Sequence, residues 1–258
     1  GLLAGLALAG VAALKRLLGL DYPRQELGPD GKVVTRYNAS ITIKGSPEYQ
    51  AAVVADLDRL AATETGRKII EEMGDTGHSL TIEPIPPGSD QSNGFCDYAD
   101  PADAVPGKGL PNADGTPGTG ADGVIQYNPS ATSEYTGEDG NTYTMEPNET
   151  LGHEMIHAVH QGQGNDLMNE GKPSPYDNKE EMQTIGSNDG VDDYSGGEMT
   201  EGALETENGK SPRPDHDSIT STTYRDENGN WHDQTTDAAG NTTDTVVPGP
   251  AGGGPPSQ

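Results

Sequence analysis

Apolar and polar positions recur along this chain in blocks of different period, and the blocks predict a protein that mixes helices and strands. Residues 41–45, ITIKG, alternate as a strand does. Ser46 and Pro47 then offer a cap and a first-turn proline for a helix whose Val53, Leu57, Leu60 and Ala61 share one face. Ile69, Ile70 and Met73 mark a second helix that ends at Gly74. Residues 78–86, HSLTIEPIP, predict a strand stopped by proline, and residues 123–129, GVIQYNP, predict another. The second of these strands is expected at the edge of a cleft, where its unpaired backbone groups can hold an extended peptide, with an interior strand as the alternative. Residues 87–123 are crowded with Gly, Pro, Asp and Asn and predict a long loop that carries Cys96.

The two ends follow other patterns. Residues 1–20 are apolar and unbroken up to Lys15 and Arg16, which is shorter than the roughly twenty residues a spanning helix needs, and no basic segment precedes them. This stretch is expected to be the cut end of a longer chain that contacts a membrane or packs on a neighbouring domain. Gly28-Pro29-Asp30-Gly31 is a turn signal in a linker leading into a hairpin. From residue 220 on, the chain is rich in Thr, Asp, Gly and Pro with few core formers, which predicts a disordered tail.

One block carries chemistry. Residues 149–162, ETLGHEMIHAVHQG, predict a helix capped by Asn148 and stopped at Gly162, with Leu151, Met155, Ile156 and Val159 for packing. His153 and His157 are four apart, so both imidazoles lie on one face and can converge on a single ion. Glu154 stands beside the open position, where a carboxylate can take a proton from a water that a metal has acidified. His160 lies about 10 Å along the axis from His153, too far to share one zinc, and is expected beside the ligands or in the cleft wall. Zinc needs a further protein ligand, and Glu180-Glu181 offers one; adjacent helical residues point about 100° apart, so one can bind while the other orients a histidine.

Composition narrows the partners. A net charge of −27 disfavours nucleic acid, which selects the opposite sign. With Cys96 as its one cysteine, the chain can form no internal disulfide and no cysteine metal cluster. Thirty per cent apolar residues, with one Phe and one Trp, make a thin core for 258 residues, so ordered islands joined by long loops are expected.

The blocks LGHEMIHAVHQGQG, EEMQTIG and TENGKSPR resemble the NleD-like effector zinc metallopeptidases, bacterial proteins delivered into host cells, and the first two are also similar to the catalytic core of clostridial neurotoxin light chains. The resemblance covers about residues 41–213. It implies a zincin-like α+β domain with a small mixed sheet, an active-site helix and long loops. It also implies Zn2+ as cofactor and selects Glu181 as third ligand beside His153 and His157, with Glu180 as fallback. The family tends to place a Tyr three residues after an Arg as oxyanion partners; this chain has Arg213 but His216, so Arg213 is the candidate partner, with Tyr176, Tyr194 or Tyr224 able to supply a phenol. The expected organisation is an apolar leader and linker at 1–39, the metallopeptidase domain at 40–219 and the tail at 220–258. The expected function is a zinc endopeptidase with Glu154 as catalytic base, acting as a monomer on a protein or peptide substrate and secreted or delivered into a target cell. The alternatives are a non-catalytic module stapled by zinc and a toxin domain whose HExxH is vestigial.

Overall fold

The computed structural model describes residues 22–172, 175–236 and 241–249, so the apolar leader and most of the last dozen residues, with the expectations placed on them, lie outside the described residues. Two sheets hold the described chain. The first is mixed, in the order β1 (Arg24–Leu27), β2 (Val33–Arg36), β3 (Ile41–Ile43), β4 (Leu80–Pro84), β6 (Gly123–Tyr127), β5 (Gly94–Tyr98). Its centre is parallel, with β3 on β4 and β4 on β6, while β5 runs antiparallel along one edge. The second sheet is antiparallel throughout, in the order β11 (Thr242–Val247), β10 (Trp231–Thr236), β9 (Ile219–Arg225), β7 (Thr132–Thr136), β8 (Thr142–Met145).

The helices follow the stripes in the sequence. Ser46 caps α1 (Pro47–Leu60), its hydroxyl accepting from the Tyr49 amide, and Thr63 caps α2 (Glu64–Asp75) in the same way through Gly66. Val53, Leu57, Leu60, Ile69 and Met73 are fully buried and join Ile41, Ile43, Leu80, Ile82 and Ile125 of the first sheet in one core. The long helix α3 (Pro147–Gln163) closes that core with Leu151, Met155, Ile156 and Val159, and α4 (Lys179–Ile185) and α5 (Glu201–Glu207) pack against it, Leu204 of α5 joining the same core.

Three expectations are corrected here. Residues 123–127 are not the edge strand: β6 is interior, and the edge is β5, which lies within the stretch expected as loop. The GFCDY segment of β5 has no alternating pattern to announce it, and its order comes from pairing with β6 in register Gly94–Tyr127 to Tyr98–Gly123. Among the described residues, the stretch expected as a disordered tail holds three strands, β9, β10 and β11, paired as a meander. Its β-branched threonines suit a pleated, half-exposed surface, and the Asp226–Gly229 turn is made by an Asp226 carboxylate that accepts from the Asn228 and Asn230 amides and by Gly229 at φ 84°. The α3 caps also move outward, to Glu146 in a reciprocal capping box with Glu149 and to Gly164 at φ 69°. Among the described residues no helix is long and apolar enough to cross a membrane.

Candidate metal centre and cleft

Helix α3 carries the site because it is packed on nearly every side. From Asn148 to Val159 each residue is buried, so the histidines are held by the core behind them. Gly152 lets α5 approach: a Cβ there would lie 2.7 Å from Leu204 Cδ2 and 3.1 Å from Leu60 Cδ1. That close approach brings Glu201, the first residue of α5 after its Thr200 cap, onto His153. Helix α4 starts at the Asn178 cap, whose side chain accepts from the Glu181 amide at 2.9 Å, and so fixes the two glutamates of its first turn.

The imidazoles of His153 and His157 face each other with their Nε2 atoms 3.0 Å apart. Each Nδ1 is committed elsewhere, donating from His153 to Glu201 Oε2 at 2.5 Å and from His157 to Glu180 Oε1 at 2.9 Å. Both Nε2 lone pairs therefore point into one space. Glu181 enters the same space, with Oε2 3.4 Å from His153 Nε2 and Oε1 3.5 Å from His157 Nε2, and its buried Oε2 makes no hydrogen bond. One donor atom from each of the three lies within 4.8 Å of the others, and this is the one such group among the described residues. Two nitrogens and a carboxylate oxygen with spare lone pairs fit zinc by donor type and by number.

The surrounding charges favour a cation. Burial works against the imidazolium forms, yet Glu201 and Glu181 outweigh it, raising His153 to about 9 and His157 well above its ordinary range. Burial likewise opposes the ionised carboxylates, but His157 and His153 hold Glu181 well below the usual range, and His160 with His157 holds Glu180 there. Glu154 differs, since burial outweighs the neighbouring histidines and its carboxyl is raised. His160 is no ligand; its Nδ1 donates to Glu180 Oε1 at 2.7 Å, the oxygen that also holds His157.

Arg213 is buried beside this group. Its Nε donates to Glu201 Oε1 and its Nη2 to Glu201 Oε2 at 2.8 Å, and Nη1 reaches the carbonyls of Asp215 at 3.5 Å and His216 at 3.4 Å. The same contacts shape the turn that carries His216, which lines the cleft with Nε2 4.0 Å from Glu181 Oε2. None of Tyr176, Tyr194 and Tyr224 lines the cavities beside the triad; Tyr224 instead bonds Asp244 on the second sheet. The residue that sequence reasoning missed is Glu201. Its only sequence signal is a threonine cap before a short helix.

Residues 37–216 match the peptidase M91 family, described as effector protein. The chain belongs to that family. This is the effector family that the motifs resemble. Among solved structures it is similar to the botulinum neurotoxin type G light chain, at 17% identity and TM-score 0.42 over 65% of this chain and 56% of that one. The Clostridium botulinum serotype F light chain gives 15% and 0.43 over 60% and 56%, and the serotype HA light chain 13% and 0.45 over 62% and 56%. The M91 chain thus spans a little over half the length of each. A comparison with curated proteins finds no match. The mixed helices and open sheets of the chain are of the α+β class, as expected.

Proposed function

We propose that this chain is a zinc-dependent endopeptidase, delivered into a target cell, that hydrolyses a peptide bond of a protein substrate. The observation that carries the reading is the convergence of His153 Nε2, His157 Nε2 and the unpartnered Glu181 Oε2 on one space beside Glu154. Structural zinc sites close with four protein ligands, whereas three leave a position open for catalysis, and the group among the described residues has three.

A zinc ion held by these three residues supplies Lewis-acid polarisation of a carbonyl and raises the acidity of a water. Glu154 takes the proton of that water and returns it to the leaving amine, a double duty suited to a carboxyl whose burial makes it hold protons more readily. Glu201 and Glu180 keep the two imidazoles in the tautomer that presents Nε2. Arg213 places a positive charge under the cleft for the developing oxyanion, while its fork stays on Glu201.

The test compares wild type with Glu154→Gln for zinc stoichiometry and for cleavage of a proteome-derived peptide library. One zinc in each, with cleavage by wild type and a loss of at least about a hundredfold in the variant, is expected. Absence of zinc from wild type, or equal cleavage by the two, overturns the reading.

A further inference from the structure

Arg213 lies under the cleft, but each of its nitrogens already has a protein acceptor. Nε and Nη2 donate to Glu201, and Nη1 turns to the carbonyls of Asp215 and His216. At 3% exposure the guanidinium acts on a developing oxyanion through its field. A side-chain donor in contact with that oxygen has to stand on the open side of the site.

Two cavities meet there and share Gln91, Gly94, His153, Glu154 and His216. His153 is a candidate ligand, Glu154 is the base, and Gly94 has no side chain to offer. Of the two that remain, Gln91 is exposed, while His216 is half-buried on a turn that is pinned from several sides. Arg213 holds two of its carbonyls, Ser218 Oγ donates to the Asp215 carbonyl at 2.6 Å, and Ser187 Oγ donates to the Pro214 carbonyl at 2.9 Å.

The ring itself is also aimed. His216 Nδ1 lies 3.1 Å from Asp177 Oδ2, and Nε2 lies 4.0 Å from Glu181 Oε2, on the side where His153 and Glu154 stand. Asp177 immediately precedes the Asn178 cap of α4 and sits at φ 56°, the one non-glycine residue at positive φ among the described residues. Side chains seldom tolerate that backbone, and an outlier beside a reactive centre marks a functional constraint. Carboxylate oxygens only accept, so Asp177 keeps a proton on Nδ1 and turns Nε2 into the cleft. With a second carboxylate 4.0 Å beyond Nε2, the ring is set to donate there as well.

We infer that His216 is a catalytic residue whose Nε2–H binds the oxygen of the scissile carbonyl as it becomes an oxyanion, and that Asp177 is the positioning residue that aims it. The inference rests on the peptidase reading above. As the water oxygen bonds to the carbonyl carbon, the C–O π pair moves onto the carbonyl oxygen and the water's proton goes to Glu154. When that pair returns, the C–N bond breaks and the amine leaves with the proton. His216 keeps its own proton throughout; its hydrogen bond strengthens as charge grows on the oxygen, so it serves the transition state more than the bound substrate.

The test uses zinc-loaded wild type, His216→Leu, His216→Gln and Asp177→Asn, each checked for folding by circular dichroism. The probes are a library peptide that wild type cuts and its phosphinic analogue, whose anionic tetrahedral centre imitates the intermediate. His216→Leu is expected to keep one zinc and a KM within about threefold of wild type, while kcat and affinity for the phosphinic analogue both fall roughly 100-fold. Glutamine restores an N–H near the Nε2 position and is expected to recover about tenfold of that loss, and Asp177→Asn to cost about tenfold in kcat alone. If His216→Leu cuts or binds the analogue as wild type does, raises KM instead of lowering kcat, or loses zinc, the role is overturned and the peptidase reading stands. Should His216→Leu fail to fold, wild-type kcat in both His216→Gln and Asp177→Asn overturns it equally. Wild-type kcat in Asp177→Asn alone removes Asp177 from the inference, and no cutting by wild type overturns both readings.

Discussion

Glu201 is fully buried and bonds two groups at once, the Nδ1 of His153 and the fork of Arg213. A glutamine in its place keeps the shape but loses the charge, so His153 is held less firmly and Arg213 keeps a buried charge with no counter-ion. Glu201→Gln is expected to weaken zinc binding roughly 10- to 100-fold, read by competition with a chromophoric chelator, and to lower stability by about 3 kcal/mol in denaturant titration. Glu180→Gln separates the two effects: it loosens His157 and His160 in the same manner, while Arg213 keeps its partner, so zinc affinity falls with a smaller loss of stability. If Glu201→Gln binds zinc as tightly as wild type, Glu201 does not position His153. The candidate ligands are legible because i, i+4 spacing on a helix is local and the Glu180-Glu181 pair follows that motif closely, with the resemblance selecting Glu181. Glu201 was not legible, since its bond to His153 spans 48 residues and a glutamate at the start of a seven-residue helix looks like surface.

Helices are readable as elements from their apolar stripes, with the Ser46 cap marking the start of α1; the Thr63 cap that starts α2 comes from the structure. Strands were readable only where they alternate. Hence β4 is legible, while β5, with Cys96 on it, reads as loop, and its neighbour β6 reads as the edge that β5 occupies. The corner between α1 and α2 holds a constraint of the same local kind. A Cβ on Gly66 would lie 1.9 Å from the carbonyl oxygen of Leu60 and 2.7 Å from the Thr63 hydroxyl, so the second helix can start where it does only because residue 66 has no side chain. Gly66→Ala is therefore expected to destabilise the protein by about 3 kcal/mol, although alanine favours helix, because backbone rather than a flexible side chain must give way. A denaturant midpoint equal to that of wild type would show that the corner relaxes freely.

At the scale of the whole molecule, the threonine-rich C-terminal chain reads as disordered because little of it can enter a core; its order comes from ladder pairing onto β7, which no local pattern reveals. A second property of the whole molecule follows from two buried acids, Asp56 and Glu205. Asp56 is fully buried, accepts from the Tyr127 hydroxyl at 2.9 Å and pairs with Arg59; burial nevertheless outweighs these and raises its carboxyl from 3.8 to about 6. Between those values the folded chain keeps a proton that the unfolded chain has released. The stabilisation is complete below 3.8 and is lost as the pH rises through about 6. A shift of that size corresponds to about 3 kcal/mol. Glu205, raised from 4.5 to about 8 by burial and then by Glu201, acts in the same direction over a higher window. Neutral variants do not titrate, so their stability relative to wild type must climb with pH: for Asp56→Asn between about 4 and 6, and for Glu205→Gln up to about 8. Denaturant titrations of the three proteins at several pH values measure this directly, and gaps that stay constant with pH would mean that neither buried acid holds its proton in the folded chain.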